Sequence, residues 1–452
     1  MFEWLRHWQL GNRYGYEVLF RGHDRRPKGK VGIILADLGM PEDYQPEFYI
    51  GFMNHVFDYS LPFFLHRIVL ADRGIALIDP ENALARESFV PHKLVDMYGS
   101  ATNRRGEPYV ECKVEWRPPG MKRNPWDHGY FLYQGDGQGG APDVCQKSAA
   151  KIAGWYFGCL IPEKRVAWAH QCRKVYEDTV TVLRKDFGDA EFRHARYIDE
   201  NSMRQAVEEL LAAGCETIIY QCYSNPVFCD FEDYALAMPR VHRLVNGRAR
   251  LIFGDQPGNQ PALREAYVQM VRDQLRQIPA DSSVLLVLSR HGNPFKHDTL
   301  NRRAHEYRQP LEDKMREAMD EWGGKWQLIW SDDEYADHYW DPRRKKFSTL
   351  DAFRKAITER YDYALEVPTD FIAENTDLMI FHAMKKYTIF SDYDMRAPIP
   401  YSDWEKPLMR TFREGKTTAI YVGCPVGPYR KYVAEAAAAS VAEILVNKQD
   451  RP

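Results

Sequence analysis

Short runs of consecutive apolar residues alternate along the chain with stretches in which apolar residues recur every three or four positions. A strand buried on both faces needs the first pattern, and a helix with one buried stripe needs the second. Val31-Gly-Ile-Ile-Leu35 is the first run, and it ends in the loop-like Ala36-Asp-Leu-Gly-Met-Pro41. A βαβ unit follows at Phe192 to Ile198, Met203 to Ala213 and Thr217 to Tyr220. Its helix carries Met203, Ala206, Val207, Leu210 and Leu211 at the spacing of one face. Ser202 with Gln205 resembles a capping box, and Gly214 fits a helix stop. A second series begins with Leu251-Ile-Phe253 and a helix through Leu263 to Leu275. It continues as strand Val284 to Leu288, a charged helix from Arg303 to Trp322 and strand Trp326 to Trp330. Helix Leu350 to Ile357, strands Tyr363 to Val367 and Ala419 to Val422, and helix Tyr432 to Val446 complete it.

Strands alternating with helices give an α/β fold class with parallel sheets. The two series predict two doubly wound, Rossmann-like domains with a cleft between them. Residues 1–30 are an N-terminal extension, 31–249 the first domain, and 250–452 the second with its C-terminal helix. Between 79 and 142 the pattern lapses into Pro, Gly, Arg and aromatic residues, among them Arg117-Pro-Pro-Gly120, so this stretch reads as an insertion. Loops of that length within compact domains tend to be functional.

Composition then narrows the function class. Lys and Arg number 61 against 64 Asp and Glu, a formal net charge of −3 that gives no electrostatic reason to expect nucleic acid. Met1-Phe-Glu-Trp-Leu-Arg-His-Trp lacks the features of a signal peptide, so a cytoplasmic location is expected. The most apolar window, Ser60 to Leu77, is broken by His66, Arg67, Asp72 and Arg73. It does not predict a spanning helix but leaves room for a peripheral membrane contact. Eight cysteines without a secretory signal predict reduced thiols. Cys215, Cys222 and Cys229, seven residues apart, read as buried thiols before a metal set. Nothing in the sequence decides between a monomer and a homodimer.

Candidate chemistry concentrates at Ser289-Arg-His-Gly-Asn-Pro294. A buried parallel strand opens onto a ligand crevice at its carboxyl end, and here the residue at that opening is His291. Against this stands an ordinary loop histidine bonded to backbone. Gly135-Asp-Gly-Gln-Gly-Gly140 matches a dinucleotide fingerprint, but Pro142 follows at once and no ribose-binding acid is placed for it, so a glycine loop is the better reading. The run Trp330-Ser-Asp-Asp-Glu-Tyr-Ala-Asp-His338 is either a path for metal ions or a solvated loop, and His297 is either a second ligand or a solvated side chain.

Taken together, these segments resemble the ferrochelatases, which insert iron into a porphyrin. Leu38-Gly-Met-Pro41 is similar to the family's Leu-Gly-x-Pro turn, followed by the aromatic Tyr44, Phe48, Phe52 and Phe57. Ser289-Arg-His-Gly-Asn-Pro294 is similar to its Ser-x-His segment. Gly135 to Pro142 resembles its Gly-rich turn, Trp340-Asp-Pro342 its Trp-x-x-Pro element, and Gly254-Asp-Gln-Pro257 the stretch before the linking helix. Val367, Pro368, Phe371, Glu374, Asn375 and Asp377 fall on the pattern Val-Pro-x-x-Phe-x-x-Asp-His-x-Glu.

The resemblance implies His291, Asp377 and Glu374 as catalytic residues, with His291 and Asp377 on the metal. It implies Tyr44, Phe48, Phe52, Trp340 and Asn375 as residues against the macrocycle. Its substrates would be a porphyrin and a divalent metal, most naturally Fe2+, with no tightly bound cofactor. Some ferrochelatases carry a [2Fe-2S] cluster on a cysteine group near the C-terminus; Cys424 stands alone there, so none is expected. The chain departs from the pattern where Asn375 replaces a histidine and Asp377, one methylene shorter, replaces a glutamate. A tetrapyrrole or metal binder on the same scaffold is the alternative.

Overall fold

Strand β1 (Val31–Asp37) is buried along its whole length, and its side chains divide by parity. Ile33 and Leu35 enter one apolar cluster, Ile34 and Ala36 another. Successive strand residues point to opposite faces, so a strand with two covered faces must be apolar at every position. The computed structural model describes residues 24–37, 76–78, 114–116, 168–197, 199–223, 237–255, 257–291, 298–333, 347–373, 386, 389–392 and 409–449.

Within the first half, β2 (Ala76–Ile78) and β3 (Val114–Trp116) form a two-stranded antiparallel sheet. Helix α1 (Trp168–Leu183) leads to β4 (Glu191–Arg196), α2 (Glu200–Ala212), β5 (Thr217–Cys222), α3 (Met238–Val245) and β6 (Arg250–Phe253). The main sheet runs β4-β1-β5-β6 with every pairing parallel. Helices α2 and α3 supply Met203, Leu210, Met238 and Val241 to the face that receives Ile34, while α1 supplies Cys172 and Val175 to the other.

The second half holds α4 (Pro261–Leu275), β7 (Ser283–Arg290), α5 (Asp298–Trp322), β8 (Lys325–Asp332), α6 (Thr349–Thr358) and β9 (Tyr363–Pro368). The antiparallel pair β10 (Arg410–Glu414) and β11 (Thr417–Tyr421) precedes the final helix α7 (Arg430–Gln449). Its sheet runs β10-β11-β9-β7-β8, parallel except at the β10 edge. Both halves thus start on one plan, with the first strand central, the second on one side of it and the third on the other; beyond the third lies β6 in the first sheet, and β11 then the antiparallel β10 in the second. Two Rossmann-like parallel sheets covered by helices are the α/β class predicted from the sequence.

Three local expectations change. Helix α2 starts three residues before the predicted Met203, because Asp199 is its N-cap and accepts from the amides of Asn201 and Ser202. The Ser202 hydroxyl accepts instead from the Arg196 amide at 3.1 Å, so the pairing of Ser202 with Gln205 is no capping box. Gly214 does follow the helix end at φ +78°, as a helix stop requires. Leu251–Phe253, assigned to the second series, belongs to β6, which pairs with β5 and closes the first sheet; a three-residue apolar run carries no information about its partner. Strand β10 was not predicted, since an edge strand buries one face and only Phe412 of its five residues is buried.

The apolar core is continuous across the halves. One cluster contains Val31, Ile33 and Leu35 of β1, Val175 of α1, Leu263 and Val271 of α4, Val284 to Leu288 of β7, and Val433 and Val441 of α7. Helix α7 packs on α1 and α4, so the chain's last element returns to the first half. Arg430 Nε donates to Asp178 Oδ2 at 2.6 Å and Gln171 Nε2 to the Val426 carbonyl at 3.2 Å along this seam. The described cysteines, Cys172, Cys215, Cys222 and Cys424, are buried thiols.

Candidate functional site

Strand β7 is Ser-Val-Leu-Leu-Val-Leu-Ser-Arg, buried at every position but its ends and flanked by parallel neighbours on both sides. The chain leaves β7 toward β8 on one side and later returns to β9 on the other. That reversal of strand order leaves a crevice at the carboxyl ends of β7 and β9, the place where open α/β sheets bind ligands. His291 is the first residue past β7 and is 2% exposed.

Residues after β9 hold it there. The His291 backbone N–H donates to Asp370 Oδ2 at 3.0 Å, and the imidazole meets Phe371 edge-on with ring centroids 5.8 Å apart. The amide and hydroxyl of Thr369 both donate to the Ser289 carbonyl, at 2.8 and 3.1 Å. Tyr307 of α5 donates to the Thr369 carbonyl at 2.9 Å, and Tyr267 of α4 to the Phe371 carbonyl at 2.8 Å. The β9 exit is therefore pinned from β7, α4 and α5, so His291 sits on a rigid seat.

Around this seat lie several buried and half-buried charged groups. Burial pushes the Asp370 carboxyl up to about 6, against the downward pull of Arg308 and Arg290. Its Oδ1 is buried and receives no hydrogen bond. Arg290 reaches Asp332 Oδ1 at 2.5 Å. Burial, reinforced by Arg290, lowers Arg308 to about 10. Both guanidinium groups lie 5.7 Å from the ring centroid of Trp330, whose indole N–H is held by Glu312 at 2.7 Å.

Beneath them Lys386 contacts Asp333 at 3.2 Å and pairs with Glu366, which also accepts from the Ser289 hydroxyl at 2.9 Å. Burial alone would lower the Lys386 ammonium, but Asp333 and Glu366 outweigh it and hold it above its ordinary value. All three side chains are fully buried.

The first half has a counterpart at the equivalent strand end. Asp37, the last residue of β1, meets His194 Nε2 at 2.5 Å, and the tilted ring of Tyr176 packs beside that imidazole with centroids 5.4 Å apart. Burial raises the thiol of Cys172 and the phenol of Tyr223 nearby, with Asp37 adding to both.

Of the residues expected at the site, the structure describes His291. Tyr44, Phe48, Phe52, Trp340, Glu374, Asn375 and Asp377 lie outside the described residues, as do Leu38 to Pro41, Gly135 to Gly140 and His297. Among the described residues no three His, Cys, Asp or Glu side chains come together to hold a metal ion. Asp332 and Asp333, near the start of the run that begins at Trp330, are buried, and the rest of that run, Glu334 to His338, lies outside the described residues. Sequence reasoning did not single out Asp370 or Arg308. The available signals were an acid just after an apolar strand and a cation beside Tyr307 on the helix face that also carries Leu311 and Met315.

No family model matches the chain, and no curated protein matches it. Among solved structures it is similar to SirB from Bacillus subtilis with Fe3+, with a TM-score of 0.36 and 10% identity over 62% of this chain and 93% of that one. An ABC transporter solute binding protein from Clostridium phytofermentas with bound L-rhamnose gives 0.27 and 13% over 61% and 78%. At such scores the fold class rests on the strand order described above.

Proposed function

We propose that the chain inserts a divalent metal, ferrous iron, into a porphyrin, with His291 at the centre of the reaction. The observation that carries this reading is the placement of His291: buried at the topological switch point, on a backbone fixed by Asp370 and against the ring of Phe371. The motif resemblance around Ser289 to Pro294 and Val367 to Asp377 supports it.

Metal insertion requires two pyrrole N–H protons to leave while the metal sheds its waters. A neutral imidazole, whose ordinary pKa is about 6.5, can accept a proton or hold a metal transiently. His291 takes that role. Asp370 is a positioning residue: it holds the His291 amide and keeps a carboxyl in the buried seat beside it. Glu374 and Asp377 follow four and seven residues after Asp370 in the chain, and they supply the opposing carboxylates that a hard divalent ion prefers. Tyr44, Phe48, Phe52, Trp340 and Asn375 line the macrocycle in this reading.

Asn375, where the family pattern has a histidine, favours a second reading in which the cleft binds a tetrapyrrole without metallating it. Anaerobic absorbance of the full chain with Fe(II) or Zn(II) and protoporphyrin or coproporphyrin separates the two. Replacement of the free-base bands by metalloporphyrin bands is expected. A Soret shift without metallation would favour the binder, and no spectral change at all would exclude both.

A further inference from the structure

Among the described cations around His291, Arg308 is the one that the fold leaves without an ion pair. Arg290 is tied to Asp332, and Lys386 to Asp333 and Glu366. Among the described residues Arg308 has no hydrogen bond and no ion pair, and its Nε is shielded from solvent. What it does have is the face of Trp330, shared with Arg290. Arg308 is half-buried, and shielding its Nε without a hydrogen-bond partner costs stability, so a fold that only needed to fill this space would do better with an apolar side chain. Its neighbours Tyr307 and Leu311 on the same helix are fully buried core residues, so α5 is anchored on either side of Arg308.

We propose that Arg308, braced by Trp330 and assisted by Arg290, receives a carboxylate of the molecule that occupies the crevice beside His291. A planar guanidinium fork on an aromatic platform matches a carboxylate in shape, through two parallel N–H···O bonds. Charge argues for a monoanion over a phosphate: Asp332 and Asp370 both act on Arg308 and would oppose a second negative charge. The identity of that carboxylate as a porphyrin side chain rests on the function proposed above; the recognition itself does not.

The test uses the full chain as wild type, Arg308→Gln and Arg308→Lys, with thermal melting and Soret titration. Without ligand, Arg308→Gln should melt at or above the wild-type temperature, because a half-buried charge with no ion pair is removed; a clear drop would make Arg308 a structural residue and overturn the proposal. Coproporphyrin should bind Arg308→Gln at least about tenfold more weakly, with Arg308→Lys between the two, while the tetramethyl ester should bind all three alike. Equal binding of coproporphyrin to wild type and Arg308→Gln would contradict the proposal.

If wild type binds no porphyrin, the metal-insertion reading fails and succinate decides the Arg308 assignment alone. A rise in melting temperature with succinate, present in wild type and lost in Arg308→Gln, supports it. The same response in both, none in either, or a larger response to inorganic phosphate overturns it.

Discussion

His291 and Asp370 are 79 residues apart in sequence and joined by one buried hydrogen bond, which is why the histidine was legible in the sequence and its partner was not. A strand running into Gly and Pro announces a crevice; which side chain crosses from the next strand depends on register, which no local pattern encodes. Asp370→Ala leaves the His291 amide buried without its acceptor and should cost about 1–3 kcal/mol in urea unfolding. Asp362 gives a residue-scale test in pH. The hydroxyl of Ser283, then its amide, and Lys416 hold the Asp362 carboxyl down to about 2. A carboxyl lowered in the fold stabilises fully above its unfolded pKa and loses that contribution as pH falls toward the folded value. Wild type should therefore exceed Asp362→Asn by about 1 kcal/mol at neutral pH, a figure reduced for its partial exposure, and the gap should close between about pH 4 and 2. A gap that widened on acidification would contradict this linkage.

Among the elements, the strands of the two main sheets were legible, edge strands β4, β6 and β8 included, except β10. Val284 to Leu288 announces β7 because every position is covered, whereas β10 alternates charge with a single buried Phe412. Helix α6 was placed to within a residue, and its cap explains its start: the Ser348 hydroxyl accepts from the Asp351 amide at 3.0 Å while the Asp351 carboxylate accepts from the Ser348 amide at 3.2 Å. Ser348→Ala should cost about 1 kcal/mol, measured by chemical denaturation, with the denaturant slope unchanged. The buried Lys386, Glu366 and Asp333 set links the β8 and β9 ends to a residue well beyond them. Lys386→Met strands two buried carboxylates and should cost about 3–5 kcal/mol; a variant as stable as wild type would show that the pair contributes little.

For the whole molecule, the two-sheet plan followed from the alternation of strand and helix patterns, but the sharing of one core between the halves did not. Periodicity reports which face is buried and not against what. Helix α7 buries Val433, Ala437, Val441, Ile444 and Leu445 against elements of both halves, so the two should unfold together in one transition followed by far-ultraviolet circular dichroism and tryptophan fluorescence. Two separated transitions would show that the common core is not cooperative. The expected macrocycle-facing residues Tyr44, Phe48, Phe52, Trp340 and Asn375 all lie outside the described residues, so the site's breadth rests on the resemblance and its centre on His291. The most direct measurement of that centre is the anaerobic rate of Fe(II) or Zn(II) incorporation into porphyrin by wild type and His291→Ala, with porphyrin binding followed in parallel by the Soret shift. The account predicts incorporation by wild type, a loss of about 10²-fold or more in the variant, and retained binding in both. Equal rates in wild type and His291→Ala would contradict it.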